Sequence, residues 1–322
     1  MTGFLPPRWP ASEFLQALFL SILLSIPAAA PARAAGAPDA TSPRPLLTLL
    51  TDFGNNDFYV PTLKGAIYSV DPNARIVDLT HEVVPFDVRE AAFLLAESSR
   101  EFPAGTIFVG IVDPGVGTDR KPIAIRTRDG SYFVGPDNGI LIEAAELRGI
   151  AEVREIRNRG YQRRGDRSST FHGRDLFGPA GASLGKGMPF EPIGPRRETW
   201  VRIERKAPSG GKGKASGEVL HADSYGNLLT NLTEDHMAGA GLRAGKRLSV
   251  HIGGASFDAS FVETYASVPS GERLVTVGST GRIEIAINEG NLAETLGVGA
   301  GQIVSLVVAG TVESGAGRGV GR

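Results

Sequence analysis

The chain has 322 residues, 41% hydrophobic and 21% charged, which suits an ordinary globular protein of one large or two moderate domains. Its formal net charge of -1 gives no mark of a nucleic-acid or membrane-surface binder. Cysteine is absent, which excludes disulfides, thiolate metal sites and a cysteine nucleophile.

Arg8, an apolar stretch from Phe14 to Ala30 and the triplet Ala32-Arg33-Ala34 read as a signal peptide over residues 1–34, cleaved before Ala35. An uncleaved anchor is the alternative, but the stretch is short and alanine-rich. The expectation is an exported protein, periplasmic or secreted, with no stable membrane association after cleavage. A polar, proline-containing arm follows over 35–45.

Leu46–Leu50 reads as a strand ending at Thr51-Asp52-Phe53-Gly54. Asn55, Asn56 and Asp57 are helix-start residues, and a helix is expected to about Val70. Arg75–Leu79 is a second strand, ending at Thr80-His81, and Asp87–Arg100 an alanine- and leucine-rich helix. Thr106–Val112 is an unbroken apolar, β-branched run and reads as a buried strand. Strands alternating with helices predict an α/β layer whose sheet is mostly parallel, with ligands bound beyond the strands' carboxyl ends. Asp52, His81 and Asp113 all fall at such ends.

Past Val112, Pro114, Gly115 and Gly117 force a tight loop, and Pro122–Thr127 starts a further strand. The loop can return Arg120 to Asp113, either as a structural ion pair or as part of a site. Tyr132–Val134 reads as a strand, Leu141–Leu147 as a helix, and the arginine-rich stretch 154–167 as a solvated loop. A helix is expected to start near His172, where its N-terminus would lower the pKa of an imidazolium; a structural histidine is the plainer reading. Residues 207–216 have a flexible-linker composition and separate a domain over 46–206 from one over 217–312. The second carries short strands at Gly217–His221, Arg247–Ile252, Phe257–Thr264, Arg273–Val277, Arg282–Ile287 and Ile303–Val308, the pattern of a small barrel or sandwich. A disordered tail is expected over 313–322.

Familiar catalytic signatures are missing or misplaced. Gly181-Ala-Ser-Leu-Gly185 matches a nucleophile elbow in letters only, because Ser183 falls late in an expected helix. The five histidines lack metal-ligand spacing, and no phosphate-binding loop or dinucleotide fingerprint is present.

Eight short motifs in order carry a resemblance. They are T-D-F-G-x-x-D-x-Y-V at Thr51–Val60, K-G at Lys64-Gly65, D-L-T-H at Asp78–His81 and V-D-P-G-V-G-x-x-R at Val112–Arg120. P-D-N-G at Pro136–Gly139, F-H-G-R-D at Phe171–Asp175, D-S-Y-G-N-L-L-T-N at Asp223–Asn231 and I-E-I-A-I-N-E-G-N at Ile283–Asn291 complete the set. Over about Leu46 to Ala309 the chain resembles the adenosine-forming S-adenosyl-L-methionine (SAM) hydrolases, or SAM hydroxide adenosyltransferases, of the superfamily that includes fluorinase and chlorinase. The resemblance implies an α/β domain, a barrel-like C-terminal domain and a homotrimer with sites between subunits. It implies a water-activating triad of Asp113, Arg120 and His172, which the halogenating relatives lack. It places Asp52 on the ribose hydroxyls, Phe86 against the ribose, and Asp57 and Asp223 as candidates for the substrate amino group. Tyr225 and Asn227 would meet the adenine, Ser279 and Thr280 the methionine carboxylate, and Glu289 the adenine through its backbone. A helix cap for Asp52, core packing for Phe86, and cap or turn roles for Asp57, Asp223, Tyr225 and Asn227 are the structural alternatives. No metal or other cofactor is expected. An exported binding module without turnover, and a metal hydrolase using Asp52, Asp57 and Asp113, are the competing functions.

Overall fold

The computed structural model describes Gly3 and residues 44–310. The expected signal peptide, most of the arm and the tail lie outside the described residues. Six strands build the first sheet: β1 (Leu46–Thr51), β2 (Arg75–Thr80), β3 (Ile107–Ile111), β4 (Pro122–Thr127), β5 (Tyr132–Pro136) and β6 (Ile150–Glu155), in the order β2-β1-β3-β5-β4-β6. β2, β1, β3 and β5 are parallel, whereas β4 is antiparallel to both its neighbours. The mostly parallel sheet expected from the sequence is found in part: four strands run parallel, and the sheet as a whole is mixed. The cause is the short 128–131 connection, with Gly130 at φ 81°, which can join only antiparallel strands. β6 falls where a loop was expected to begin; its Glu152 pairs with both Arg154 and Arg126 of the neighbouring strand, hiding the strand under a charged sequence.

Both faces of the sheet are covered. Helix α1 (Tyr59–Val70) buries Val60, Leu63, Ala66 and Ile67, the spacing of one helical face. With α4 (Gly178–Gly185) it packs on Leu47, Leu49 and Val109. Helix α2 (Val88–Arg100), capped by the Asp87 carboxylate accepting from the Glu90 N–H at 2.9 Å, packs with α3 (Ile142–Leu147) on the opposite face, against Leu50, Phe108 and Phe133. Burial from both sides explains why β3 is an unbroken apolar run.

The C-terminal region contains β7 (Ser209–Gly211), β8 (Lys214–Ala222), β9 (Leu228–Thr233), α5 (Glu234–Gly239), β10 (Arg247–Ile252), β11 (Ala255–Phe261), β12 (Arg273–Val277), β13 (Arg282–Ile287), α6 (Leu292–Leu296) and β14 (Ile303–Val308). Seven of the strands close into a barrel through the β8–β14 pairing, leaving β7 hydrogen-bonded to β8 alone. Closure removes exposed sheet edges, and the interior is filled by side chains such as Val219, Leu232, Val250, Ile285 and Leu306. The stretch 207–216 carries the β7–β8 hairpin instead of a free linker. The barrel rests on α2, where Phe93 meets Leu220 and Leu229. The pairs Arg89–Glu218, Glu90–His221 and Glu97–Arg282 surround that contact. Among the described residues no helix is long and apolar enough to cross a membrane.

Candidate active site

Asp52 follows β1, His81 follows β2 and Asp113 follows β3 within two residues, all at the carboxyl edge of the parallel strands. After β3 the chain turns tightly: the Val116 N–H donates to the Asp113 carbonyl at 3.2 Å and Gly117 takes φ 79°. The turn returns Arg120 to Asp113. Its Nε donates to Oδ1 at 3.0 Å, and its Nη2 contacts both Oδ2 of Asp113 and, at 3.0 Å, Nδ1 of His172. The Asp113 and Arg120 side chains are each only 7% exposed, so both charges depend on this pairing.

His172 immediately precedes a π-helical turn, Gly173–Phe177, that runs into α4. A guanidinium has donors only, so Nδ1 of His172 must present its lone pair to Arg120, and the ring proton resides on Nε2. Burial, reinforced by the Arg120 charge, lowers the His172 pKa below its ordinary 6.5, which keeps the ring neutral at pH 7. The triad thus offers a carboxylate acceptor and an imidazole N–H donor, fixed to one cation.

Asp113 and His172 line a cavity of about 340 Å³ together with Asp52 and Phe86. Arg120 stands behind the lining, its guanidinium 5.3 Å from the centre of the Phe177 ring. Asp52 does not cap a helix: Oδ2 accepts the Phe86 backbone N–H at 3.0 Å, leaving Oδ1 for a ligand. Phe86 is 71% exposed, which rules out core packing, and its φ of 68° is rare for a residue with a side chain. Asp57 does not line this cavity; its Oδ1 accepts the Phe58 N–H at 2.9 Å. The same cavity is walled by Phe53, Tyr59 and Phe171, whose ring centroids are 5.3–5.8 Å apart. Sequence reasoning missed this wall, although all three residues lie inside the motifs.

Asp223, Tyr225, Asn227, Ser279 and Glu289 line a separate cavity of about 910 Å³ beside the barrel. Thr280 is exposed and not part of its lining. Asp223 organises the turn: Oδ1 accepts from the Tyr225 and Asn227 N–H groups, and Oδ2 from the Asn227 side-chain amide, each at 2.9 Å. Gly226 has φ 83°, and a Cβ there would lie 1.9 Å from Asn291 Oδ1, so glycine is required. Tyr225 is left 76% exposed. The lining also includes Tyr265 and the largely buried Glu284, joined at 2.7 Å. Burial and the Glu284 carboxylate raise the Tyr265 pKa. Glu284 lies in the I-E-I-A-I motif, which was a usable signal; Tyr265 had none.

Asp175, 1% exposed, is held by Arg174 at 2.7 and 2.8 Å, by the Ser168 N–H at 2.7 Å and by Arg163 at 3.1 Å. Burial alone would raise its pKa, but Arg174, the Ser168 amide and Arg163 outweigh it and bring the carboxyl to about 2. The expected solvated loop is therefore partly anchored, through Arg163, beneath the turn that carries His172. Ser183 lies in α4 at 2% exposure, far from nucleophile-elbow geometry. Asp52, Asp57 and Asp113 do not form a cluster able to hold a metal, and no such cluster exists among the described residues.

The sequence and structure both have recognisable relatives. The family models for the SAM hydroxide adenosyltransferase N-terminal and C-terminal domains match residues 47–194 and 217–305. An (R)-S-adenosyl-L-methionine hydrolase from Salinispora tropica is 37% identical over 262 residues, covering 80% of this chain and 95% of the relative. One from Thermus thermophilus is 34% identical, covering 80% and 98%. A fluorinase from an Actinoplanes species is 28% identical, covering 82% and 98%. Among solved structures, an uncharacterized conserved protein from Thermotoga maritima superposes with a TM-score of 0.77 at 38% identity, over 81% of this chain and all (100%) of that one. A conserved hypothetical protein from Thermus thermophilus gives 0.64 at 33% identity, over 82% and 100%. With both domain models matched in order and the Asp113–Arg120–His172 constellation assembled, the chain belongs to the SAM hydroxide adenosyltransferase family.

Proposed function

We propose that the protein hydrolyses SAM to adenosine and L-methionine, with water attacking C5′ of the substrate. The observation that carries this reading is the single contact set joining Arg120 to both Asp113 and His172 at the wall of a cavity. The sulfonium already activates C5′, because methionine departs as a neutral thioether, so the leaving group needs no general acid. The site has to aim and desolvate a water. In this reading the His172 Nε2–H donates to that water and the Asp113 carboxylate accepts from it. As the O–C5′ bond forms, the C5′–S pair stays on sulfur and the water's proton passes to Asp113. Arg120 holds both partners and compensates the Asp113 charge before transfer. No metal or other cofactor is needed.

Asp52 Oδ1 would receive the ribose hydroxyls beside Phe86. Tyr225, Asn227 and the Glu289 backbone would receive the adenine, with Ser279 at the methionine carboxylate. Asp57, Asp223 and Thr280 are weaker candidates: the first and last lie outside the cavity linings, and Asp223 spends both oxygens on its own turn. The two halves of the roster line different cavities of one chain, which supports a homotrimer whose sites are completed by a neighbouring copy. Export to the periplasm or beyond rests on residues 14–34 and is part of the proposal.

The test is incubation of the purified protein with SAM in ¹⁸O-labelled water, followed by chromatography and mass spectrometry. Adenosine and methionine should appear in equal amounts, with the label on adenosine. Binding of SAM without release of adenosine would favour the binding-module reading, and loss of activity in EDTA the metal-hydrolase reading.

A further inference from the structure

Two motifs, K-G and D-L-T-H, have no place in the chemistry above, yet their side chains meet beneath the candidate ribose carboxylate. Lys64 Nζ donates to Asp78 Oδ2 at 2.5 Å. Asp78 Oδ1 lies 3.2 Å from Nε2 of His81, within ion-pair distance though not well aligned as a hydrogen bond. The other ring nitrogen, Nδ1, is 2.8 Å from the Thr51 hydroxyl. That hydroxyl in turn accepts the Phe53 N–H at 3.2 Å. His81 and Thr51 are buried, whereas Asp78 and Lys64 reach the surface.

Resting on the hydrolase reading, we propose that Asp78, His81 and Thr51, backed by Lys64, form a positioning chain that sets the Asp52 carboxylate for the ribose.

The donor and acceptor roles run in one direction. A carboxylate facing Nε2 favours a proton there, which leaves the Nδ1 lone pair to accept from the Thr51 O–H. The Thr51 oxygen keeps a lone pair for the Phe53 amide. One hydroxyl therefore ties down the residues on both sides of Asp52. The backbone repeats the stitch: the Gly54 N–H donates to the His81 carbonyl at 2.7 Å and the Val83 N–H to the Thr51 carbonyl at 3.4 Å. Asp52 itself reaches forward to the Phe86 N–H at 3.0 Å. The carboxylate is thus suspended between the 80–86 segment and a buried polar chain that ends at a surface ion pair. Removing the Thr51 hydroxyl leaves the buried His81 Nδ1 and the part-buried Phe53 N–H without this partner, and the turn must shift to recover one. Thr51 and His81 do not line the cavity, so they are positioning residues.

The experiment compares Thr51→Val, Thr51→Ser and Asp78→Ala in the full protein, each with Asp52 intact and with Asp52→Ala. KM and kcat for SAM and the Kd for adenosine are read. Thr51→Val should raise KM and the adenosine Kd by roughly 3- to 10-fold, with a smaller change in kcat. Thr51→Ser, which keeps the hydroxyl, should restore most of the loss. Asp78→Ala, at the exposed end of the chain, should act in the same direction more weakly, and it decides the matter should Thr51→Val not fold. Against Asp52→Ala none of these changes should add a further penalty, because their effect runs through that carboxylate. Equal loss in Thr51→Ser, an undiminished penalty in the Asp52→Ala background, or a fall in kcat alone would overturn the proposal. Wild-type protein that binds adenosine but releases none from SAM would sink the hydrolase reading while leaving the positioning chain to be judged by adenosine binding. Failure to bind adenosine at all would overturn both.

Discussion

Arg120 Nη2 lies 3.0 Å from His172 Nδ1 while the same guanidinium grips Asp113, so one planar cation fixes the orientation of both cavity-lining groups. This geometry needs a rigid fork, which lysine lacks. Arg120→Lys should therefore lower kcat by about 10²–10⁴-fold, in the range of a lost general acid–base function. Asp113→Asn and His172→Ala should fall in the same range, and pairs of these changes should cost far less than the product of the singles, because the three act as a unit. The Kd for adenosine should hardly move, since Asp52 and Asn227 remain. Steady-state kinetics of singles and doubles, with adenosine titrations, check this; multiplicative losses would separate the three residues into independent roles.

The same contact dictates a pH dependence. Only neutral His172 can accept from Arg120 at Nδ1, and its pKa is lowered by burial and then by the Arg120 charge. Activity should level off above pH 6.5 and fall on acidification with a midpoint below that value. The sign follows from the depressed pKa: the folded site resists the proton until the pH drops through the lowered value, and protonation then sets Nδ1–H against the guanidinium. In His172→Gln any residual rate should lose that acid limb. A midpoint above 6.5 would mean that the imidazole is stabilised as a cation and that the Nε2–H assignment is wrong.

Asp175 supports the turn that presents His172 without entering the cavity. Its carboxyl, at about 2, contributes stability that is complete above the ordinary 3.8 and is lost as the pH falls through 2. Asp175→Asn leaves the partly exposed Arg163 and Arg174 without their anion, a loss of roughly 2 kcal/mol, the scale of the carboxyl's pKa shift. The variant should melt at a clearly lower temperature, and the difference from wild type should shrink towards pH 2. Calorimetry at several pH values reads both. An unchanged melting temperature would show that the arginines find other partners.

What the sequence disclosed and what it hid have physical causes. β3 and its Asp113 turn were legible because a strand covered on both faces must be apolar throughout and must stop at the first charge. Arg120 could be returned to Asp113 on paper because Pro114, Gly115 and Gly117 leave the chain few other paths. β6 was hidden because an edge strand can carry charges such as Glu152 and Arg154 by pairing them at its partly covered surface, which reads as a loop. The β7–β8 hairpin was hidden because its glycines read as slack, although they serve a tight turn with Gly213 at φ 79°. Within the site, residue identities were readable but directions were not. Nothing in the letters shows that Asp57 bonds its neighbour's amide, that Asp223 spends itself on its own turn, or that Arg120 stands behind the lining.

Glu289 takes φ 56°, in the left-handed region where a side chain costs roughly 1–2 kcal/mol. Its proposed contact with adenine is through the backbone, so the side chain is expendable. Glu289→Gly should keep the wild-type KM for SAM and raise stability by about 1 kcal/mol or less, part of the relief being offset by the greater freedom of the unfolded chain. A raised KM with intact folding would assign the Glu289 carboxylate itself to the substrate.

The last prediction concerns how the two halves of the roster meet. Asp52, Phe86, Asp113 and His172 line one cavity, and Tyr225, Asn227 and Glu289 another. Phe86 and Tyr225 are 71% and 76% exposed, a costly state for two large aromatics unless another surface covers them. A ring in which the first cavity of one copy faces the second cavity of the next would bury both, and a heterologous interface that closes after three copies is a trimer. His172→Ala and Asn227→Ala proteins would each be nearly inactive alone, the first in chemistry and the second in adenine binding. Unfolded together and refolded as mixed trimers, they should regain activity. Each site draws its first half from one copy and its second half from the neighbour, so random assortment leaves both halves intact in roughly a quarter of the sites. Activity near that fraction of wild type, appearing only after the variants are co-assembled, is the expected result. Sedimentation equilibrium should give the trimer mass for the same samples. Complete absence of recovery in verified mixed assemblies would place both halves of the site within one chain and overturn the shared-site arrangement.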